Sequence, residues 1–183
     1  MRCWSAPRST IPCWTGRRRS AHIGDNGSVL RVVEVVRDPV RGGLRLETAE
    51  GKVGFVAWDA LREDPKAVLV DVRTDAEWNF VGLPDLSDAG KQPVLIPWQL
   101  YPSMQVNGAF AEHLRKAGLT PLHKLFFICR SGARSLAAGQ AAQAAGFPHA
   151  FNLADGFEGP IDAESHRGTV AGWKAEGLPW RQR

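Results

Sequence analysis

The sequence predicts an α/β domain in which short parallel strands alternate with helices. Residues 67–72 form a nearly continuous apolar run, which is typical of a strand covered on both faces. Similar runs at residues 94–96, 125–128 and 150–153 are separated by segments with helical patterns. This alternation favours a parallel sheet with helices on both sides. In such folds, ligands bind beyond the carboxyl ends of the strands.

The predicted helices between these strands are short. They cover residues 58–62, 107–116, 134–145 and 169–176. A further helical turn follows the first strand, where Thr74 and Glu77 match a capping box. Asn107 is expected to cap the second helix, and Gly146 to end the third.

The amino-terminal region differs from this pattern. Residues 1–28 are rich in Arg, Ser and Pro and lack the apolar stretch of a secretory signal, so we expect a disordered basic leader. Residues 29–36 and 44–47 predict two strands of a hairpin extension, which we assign to residues 29–54. The main domain is then expected over residues 55–183.

Composition excludes several classes of function. The apolar content of 44% and charged content of 23% are ordinary for a soluble globular domain. No apolar run approaches the roughly 20 residues that span a bilayer, so we expect no membrane partner. The net charge of +4 comes from five arginines among the first twenty residues, and the rest carries −1. Without a basic helix and interleaved aromatics, the main domain predicts no nucleic-acid partner.

The cysteines predict neither a metal site nor a disulfide framework. Cys3 and Cys13 lie in the leader at a spacing that does not match a zinc site. Cys129 is the one cysteine of the main domain. This usage fits a reducing compartment, and we expect the cytoplasm.

Cys129 is the strongest candidate for a catalytic residue. It follows the strand at residues 125–128 and precedes a small-residue loop and a helix. Loop N–H groups and the helix N-terminus favour an anion at this position, and therefore the thiolate form of the side chain. A free cysteine can instead be a small buried hydrophobe. That alternative is weaker here. A cysteine that only packed in the core would not be followed by Arg130, Ser131 and Gly132, which are polar or flexible and would destabilise such a position.

The polar neighbours of Cys129 each have two interpretations. Arg134 at a helix N-terminus opposes the helix dipole, which predicts a compensating anion beside it. Arg130 could bind that anion or simply be exposed. Ser131 and Ser135 could donate to it or cap the local backbone, and capping is favoured for Ser135.

The length of the loop separates two chemistries. Four residues lie between Cys129 and Arg134. A cysteine-dependent phosphatase needs one residue more in order to surround a tetrahedral phosphate. The shorter loop is better suited to a single sulfur atom bonded to the thiol.

Three segments together resemble the signatures of rhodanese domains. They are VDVRTDAEW at residues 70–78, CRSGARS at 129–135 and NLADGFEG at 152–159. They occur in the order and spacing of that family, over roughly residues 56–180. The resemblance implies a rhodanese-like three-layer fold, with a five-stranded parallel sheet between helices.

The resemblance also implies an activity. It is sulfur transfer from a donor such as thiosulfate to a thiol or cyanide, without cofactor or metal. Cys129 would carry the persulfide, and the loop that holds the terminal sulfur would be Arg130, Ser131, Gly132, Ala133, Arg134 and Ser135. Asp71 and Arg73 would brace this loop, or form an ordinary surface ion pair.

Two stretches are longer than in small members of the family. They are residues 82–106, with Trp98, Tyr101 and Met104, and residues 159–180, with His166, Arg167, Trp173 and Trp180. Capping of the core is the favoured role for their aromatic side chains. They could instead line the pocket or form a dimer contact, and the oligomeric state stays open.

Three alternatives remain at this point. The first is a phosphatase or arsenate reductase, which the short loop disfavours. The second is a non-catalytic rhodanese-like binding module, although such modules commonly lack the cysteine. In the third, sulfur is relayed to a protein acceptor, and thiosulfate is only a convenient donor.

Overall fold

The computed structural model describes residues 43–47 and 53–182. Its strands are β1 Gly43–Glu47, β2 Val53–Ala57, β3 Ala67–Asp71, β4 Leu83–Pro84, β5 Val94–Leu95, β6 Gln99–Leu100, β7 Gln105–Val106, β8 Lys124–Ile128, β9 Ala150–Leu153 and β10 Trp180–Arg181. Its helices are α1 Trp58–Glu63, α2 Asp75–Phe80, α3 Phe110–Lys116 and α4 Ala133–Ala144, with a 3-10 turn at Ser87–Ala89. The predicted leader at residues 1–28 and the predicted strand at 29–36 lie outside the described residues.

The central sheet confirms the predicted α/β fold. Its strand order is β2-β1-β9-β8-β3-β5, and β9, β8, β3 and β5 run parallel. The described sheet thus has four parallel strands, one fewer than the resemblance implied. The edge beside β9 is taken instead by β1, which pairs antiparallel with both β9 and β2. Strands β1 and β2 are close in sequence and pair antiparallel, because a parallel pair needs a long crossover.

The sheet separates two apolar cores, which makes the fold three-layered. On one face, side chains of β3, β8 and β9 pack with α1 and the carboxyl-terminal segment; the cluster includes Leu61, Leu69, Phe126, Ile128, Phe151, Phe157 and Trp173. On the other face they pack with α3 and α4; this cluster includes Val70, Phe110, Leu114, Leu125, Phe127, Ala138 and Ala142. Burial on both faces explains why β3 and β8 read as continuous apolar runs.

Helix α3 begins later than the sequence predicts. Asn107 does not cap it directly, because the first helical residue is Phe110 and the cap position is Ala109. The Asn107 side chain instead accepts a hydrogen bond from the Ala109 amide at 3.1 Å and donates to the Pro97 carbonyl at 2.9 Å. Asn107 therefore forms a turn that joins the preceding segment to the helix.

The helix predicted over residues 169–176 is wrong, because its backbone donors bond to another segment. The Trp173 amide donates to the Gly156 carbonyl at 2.9 Å, and the Lys174 amide donates to the Phe157 carbonyl at 3.1 Å. Gly172 has φ +93°, and a Cβ there would lie 2.9 Å from backbone atoms of residues 155–159. The segment is therefore a chain of turns that packs on residues 156–159.

The long stretch between α2 and α3 contributes β5 to the central sheet and also forms the short strands β4, β6 and β7. Strands β6 and β7 pair antiparallel, and β4 pairs with β10 near the end of the chain. Trp98 packs edge-on against Phe110 with ring centroids 5.2 Å apart, so it caps the core as favoured from the sequence. Tyr101 and Met104 are exposed. Within the described part of the chain, every helix is too short or too polar to cross a bilayer.

Candidate active site

Cys129 lies between β8 and α4, at the carboxyl edge of the parallel sheet. Its side chain is buried, with 1% exposed, and yet it lines a cavity of about 600 Å³. The other lining residues are Thr74, Ala76, Glu77, Val81, Gln99, Tyr101, Met104, Arg130, Ser131, Ala133, Arg134, Glu158 and Arg167. Tyr101, Met104 and Arg167, from the two long stretches, therefore line the pocket, whereas Trp98 and Trp173 belong to the core.

Two hydrogen-bond donors meet the sulfur of Cys129. The Gly132 amide lies 3.1 Å from Sγ and the Ser135 hydroxyl 3.2 Å from it. The hydroxyl is also 3.0 Å from the Gly132 carbonyl, which already accepts from the Leu136 amide. The single proton of Ser135 can therefore go to Sγ without leaving that carbonyl unpartnered. Ser135 thus faces the thiol, although the sequence favoured a capping role.

Gly132 gives the loop its curvature. It has φ +97°, in the region that favours glycine, and it precedes the first residue of α4. A Cβ at this position would lie 1.7 Å from the Ala154 carbonyl oxygen. The turn that directs the Gly132 amide at Sγ therefore requires glycine for both space and conformation.

The segment after β9 holds the outer side of the loop. The Phe157 amide donates to the Cys129 carbonyl at 2.7 Å, and the Glu158 amide donates to the Arg130 carbonyl at 2.9 Å. A Cβ on Gly156 would lie 2.4 Å from that same Cys129 carbonyl. Because two loop carbonyls bond to this segment, the loop is fixed with its Gly132 amide toward the thiol. From the sequence, residues 152–159 were identified only as a family signature. The glycines at 156 and 159 were the signal that could have indicated close backbone contact.

Arg134 is paired within the protein. Its Nη1 and Nη2 donate to Oε2 and Oε1 of Glu77 at 2.8 and 2.6 Å, a bidentate salt bridge. The anion that the sequence predicted beside Arg134 is therefore the Glu77 carboxylate. Sequence reasoning found Glu77 only as the capping-box partner of Thr74, a role that the structure confirms.

The salt bridge controls the ionisation of both partners. Burial alone would raise the pKa of Glu77, but the hydrogen bonds from Arg134 and Thr74 outweigh it and lower that pKa to about 2. The hydrogen bonds to Glu77 raise the pKa of Arg134, which burial opposes. Both groups are therefore charged at every physiological pH, and they neutralise each other in the cavity wall.

Asp71 and Arg73 form a buried ion pair, so the surface alternative is wrong. Both side chains have no exposed area, and Arg73 Nη2 lies 2.6 Å from Asp71 Oδ2. The same Nη2 donates to the Gly82 carbonyl at 2.8 Å, and Cζ lies 4.1 Å above the ring of Phe157. Arg73 thereby holds the residue whose amide bonds to Cys129, so its contact with the loop is indirect.

The remaining predicted loop residues face the cavity. Arg130, Ser131 and Ala133 are exposed and belong to its lining. Within the described part of the chain, the side chains of Arg130 and Ser131 form no hydrogen bond or ion pair. The exposed position of Arg130 is compatible with both of its sequence interpretations, so its binding of an anion stays a prediction.

Asp162, Glu164 and His166 bring ligand-type atoms within 4.8 Å of one another. The Asp162 carboxylate already accepts from the amides of Glu164 and His166 and from the Thr169 hydroxyl. These bonds make a turn in which Asp162 organises residues 162–169.

The fold and the site define a class of α/β domains that hold a cysteine in a backbone loop at the start of a helix. The family model of the rhodanese-like domain matches residues 57–160, which is more than half of the chain. The chain belongs to the rhodanese-like domain family.

Known relatives cover most of this domain. The chain is 36% identical to "Uncharacterized protein RC0915" of Rickettsia conorii over 126 residues, 68% of this chain and 91% of the relative. It is 33% identical to "Uncharacterized protein RP600" of Rickettsia prowazekii over the same length. A crystal structure of Rv0390 from M. tuberculosis matches with 47% identity and a TM-score of 0.62, over 69% of this chain and 92% of that one.

Proposed function

We propose that this protein is a sulfurtransferase that moves sulfane sulfur from a donor such as thiosulfate to a thiol or cyanide through a persulfide on Cys129. One observation supports this most directly. The Cys129 sulfur lies at a cavity and meets an amide at 3.1 Å and a hydroxyl at 3.2 Å, both as hydrogen-bond donors. Donors aimed at sulfur stabilise its anionic form, which is the nucleophile.

The first half-reaction charges the enzyme. The Cys129 thiolate attacks the outer sulfur of thiosulfate and forms a new S–S bond. The original S–S bond of thiosulfate breaks, and sulfite leaves with the bonding electrons. The product is a covalent persulfide whose negative charge has moved to the terminal sulfur, near the N-terminus of the twelve-residue helix α4.

The second half-reaction returns the enzyme to its initial state. A thiolate or cyanide attacks the terminal sulfur, and the Cys129 thiolate is the leaving group. The Gly132 amide and Ser135 hydroxyl then stabilise the anion that leaves, as they stabilised the nucleophile. Neither step needs a metal or an organic cofactor.

The geometry favours this chemistry over phosphate-ester hydrolysis. A phosphatase of the cysteine-dependent type uses the loop arginine to bind phosphate. Here the equivalent donors of Arg134 both go to Glu77. The short loop and the pairing of Arg134 with Glu77 are therefore two independent arguments against a phosphatase.

A reducing compartment suits the proposed cycle. Cys129 is the one cysteine among the described residues, and it is free. A persulfide is discharged by thiols, which the cytoplasm supplies in reduced form. We therefore propose a cytoplasmic enzyme that uses small-molecule substrates.

A steady-state assay of thiosulfate and cyanide tests the proposal. We expect ping-pong kinetics, because sulfite leaves before the acceptor reacts. The variant Cys129→Ala should retain its fold and lose transfer completely, since no nucleophile remains. Turnover of Cys129→Ala near that of the unmodified protein would exclude the mechanism. Folded protein that transfers no sulfur from any donor would favour the binding-module alternative.

A further inference from the structure

We propose that the physiological acceptor is a low-molecular-weight organic thiol that carries a carboxylate, and that Arg167 binds this carboxylate. The inference rests on the proposed function and specifies its second substrate. Three observations support it: the volume of the cavity, the pairing of its charged residues, and the hydrogen bonds that fix Arg167 and the turn around it.

The cavity is larger than the inorganic substrates require. Its volume of about 600 Å³ lies in the range of pockets that bury small organic ligands. Thiosulfate and cyanide are ions of a few atoms and would leave most of that space to water. The volume therefore fits an organic molecule that reaches from the loop to the outer wall.

Some of the arginines that line the cavity have a carboxylate partner within the protein, and others have none in the described ranges. Arg134 is neutralised by its salt bridge with Glu77. Arg130 and Arg167, by contrast, form no ion pair with any carboxylate in the described ranges, although Glu158 also lines the cavity. The side chain of Arg130 is exposed and has no hydrogen bond there, whereas Arg167 is partly buried and held in place. Its one hydrogen bond there runs from Nη1 to the Gly159 carbonyl at 2.6 Å. A guanidinium has five N–H donors, so Arg167 keeps most of them for a ligand.

Arg167 is held in place by the turn around it. The adjacent Gly168 amide donates to the Glu158 carbonyl at 2.7 Å, next to the residue that Arg167 itself contacts. The Asp162 carboxylate ties the other side of the turn by accepting from His166 and Thr169. A half-buried arginine fixed on both sides loses little freedom when it binds a carboxylate, which favours a specific contact.

Apolar side chains complete a binding path for an organic stem. Tyr101 and Met104 line the same cavity and are themselves largely exposed. Val81 lines it as well and is partly buried. A thiol with a short methylene stem could contact these side chains while its sulfur reaches Cys129 and its carboxylate reaches Arg167.

Arg167 lies outside the segment that the family model matches, which ends at residue 160. The residue therefore adds a charge to the pocket that the matched domain does not itself contain. This position suits a feature that selects among acceptors rather than one that serves the sulfur chemistry.

The transfer step balances without any further reactant. The acceptor thiolate attacks the terminal sulfur of the Cys129 persulfide and forms a new S–S bond. The bond between that sulfur and Cys129 Sγ breaks, and Cys129 leaves as the thiolate. The product is the persulfide of the acceptor, and no external oxidant or reductant is consumed.

A matched pair of acceptors tests the inference. The protein is charged with thiosulfate, freed of excess donor, and mixed with either 3-mercaptopropionate or 3-mercapto-1-propanol. These thiols share their stem and differ in the carboxylate. Loss of about 32 Da, one sulfur atom, is followed by intact mass over time. We expect the carboxylate thiol to discharge the persulfide at least about tenfold faster at low concentrations, as for one charge-assisted contact.

The variant Arg167→Gln should lose this preference. Arg115→Gln is the control, because Arg115 also donates to a backbone carbonyl, that of Ala145 at 2.8 Å, but is absent from the cavity lining. It should keep the preference of the unmodified protein. Equal rates for both thiols with the unmodified protein, or an undiminished preference in Arg167→Gln, would overturn the inference. A protein that never gains the sulfur atom would instead refute the proposed function itself.

Discussion

At the scale of single residues, the site depends both on the Cys129 thiol and on the backbone conformation around it. Cys129 directly follows strand β8. Its environment is set by Gly132, whose φ of +97° directs an amide at the sulfur. The Cβ of any other residue would clash with the Ala154 carbonyl, so this position requires glycine.

The variant Gly132→Ala should therefore destabilise the protein more than its backbone conformation alone explains. Gly146→Ala is the matched control, because Gly146 has φ +94° and a Cβ there would have no other atom within 4 Å. We expect Gly146→Ala to cost about 1 kcal/mol from backbone strain. Gly132→Ala should cost about 2 kcal/mol more from the clash, and it should also lose sulfur transfer. Equal free energies of unfolding, measured by urea denaturation, would contradict this role.

At the scale of elements, α2 and α4 are joined by the salt bridge between Glu77 and Arg134. Helix α2 itself has no fully buried residue, although its cap residue Thr74 is buried. The salt bridge from Glu77 to Arg134 is an electrostatic contact that holds α2 beside the loop. An electrostatic contact of this kind depends on pH in a window that the pKa of Glu77 defines.

The pH dependence has a definite sign. In the unfolded chain Glu77 protonates near its ordinary pKa of 4.5, whereas in the folded protein its pKa is about 2. The salt bridge therefore contributes its full stability above about pH 4.5, and this contribution is lost as the pH falls from there to about 2. Glu77→Gln removes the titrating group, so its free energy of unfolding should fall less steeply over that window.

Urea denaturation across this pH window measures the difference. Glu112→Gln is the control, because Glu112 forms an exposed salt bridge with Lys116, and exposed pairs contribute little. It should keep the slope of the unmodified protein. The same slope in Glu77→Gln would show that the salt bridge does not stabilise the fold.

The elements also show what the sequence could predict. Strands β3, β8 and β9 were predictable within one residue, because burial on both faces leaves an apolar run of distinct length. The capping box at Thr74 was predictable because both partners lie within one turn. The pairing of Glu77 with Arg134 was not, since 57 residues separate them. Local patterns do not specify which charges meet across the sheet edge.

At the scale of the whole molecule, the folded unit extends beyond the segment that defines its family. Trp173 has no exposed area and belongs to the core cluster of β3, β8 and α1. Its Nε1 donates to the Pro179 carbonyl at 2.7 Å. The sequence predicted that this tail caps the core, but the helix expected there was wrong. Glycines at 168, 172 and 177 permit turns with positive φ, and tertiary contacts outweighed the helical pattern.

Trp173→Ala should cost about 3–5 kcal/mol of stability, which is the range for a fully buried aromatic residue. Trp180→Ala is the matched control in the same tail, since Trp180 is 42% exposed. The loss of its side chain should cost about 1 kcal/mol, from its contacts with Lys174 and Phe157. Thermal or urea unfolding compares the two variants. A cost for Trp173→Ala as small as that for Trp180→Ala would mean that residues 161–182 are dispensable for folding.

The central claim is that Cys129 accepts a sulfur atom, and intact mass spectrometry after incubation with thiosulfate tests it most directly. We expect the protein to gain about 32 Da, the gain to map to Cys129, and cyanide to remove it. The variant Cys129→Ala should gain nothing under the same conditions. An unchanged mass of the folded, reduced protein at saturating thiosulfate, or an equal gain in Cys129→Ala, would contradict the account.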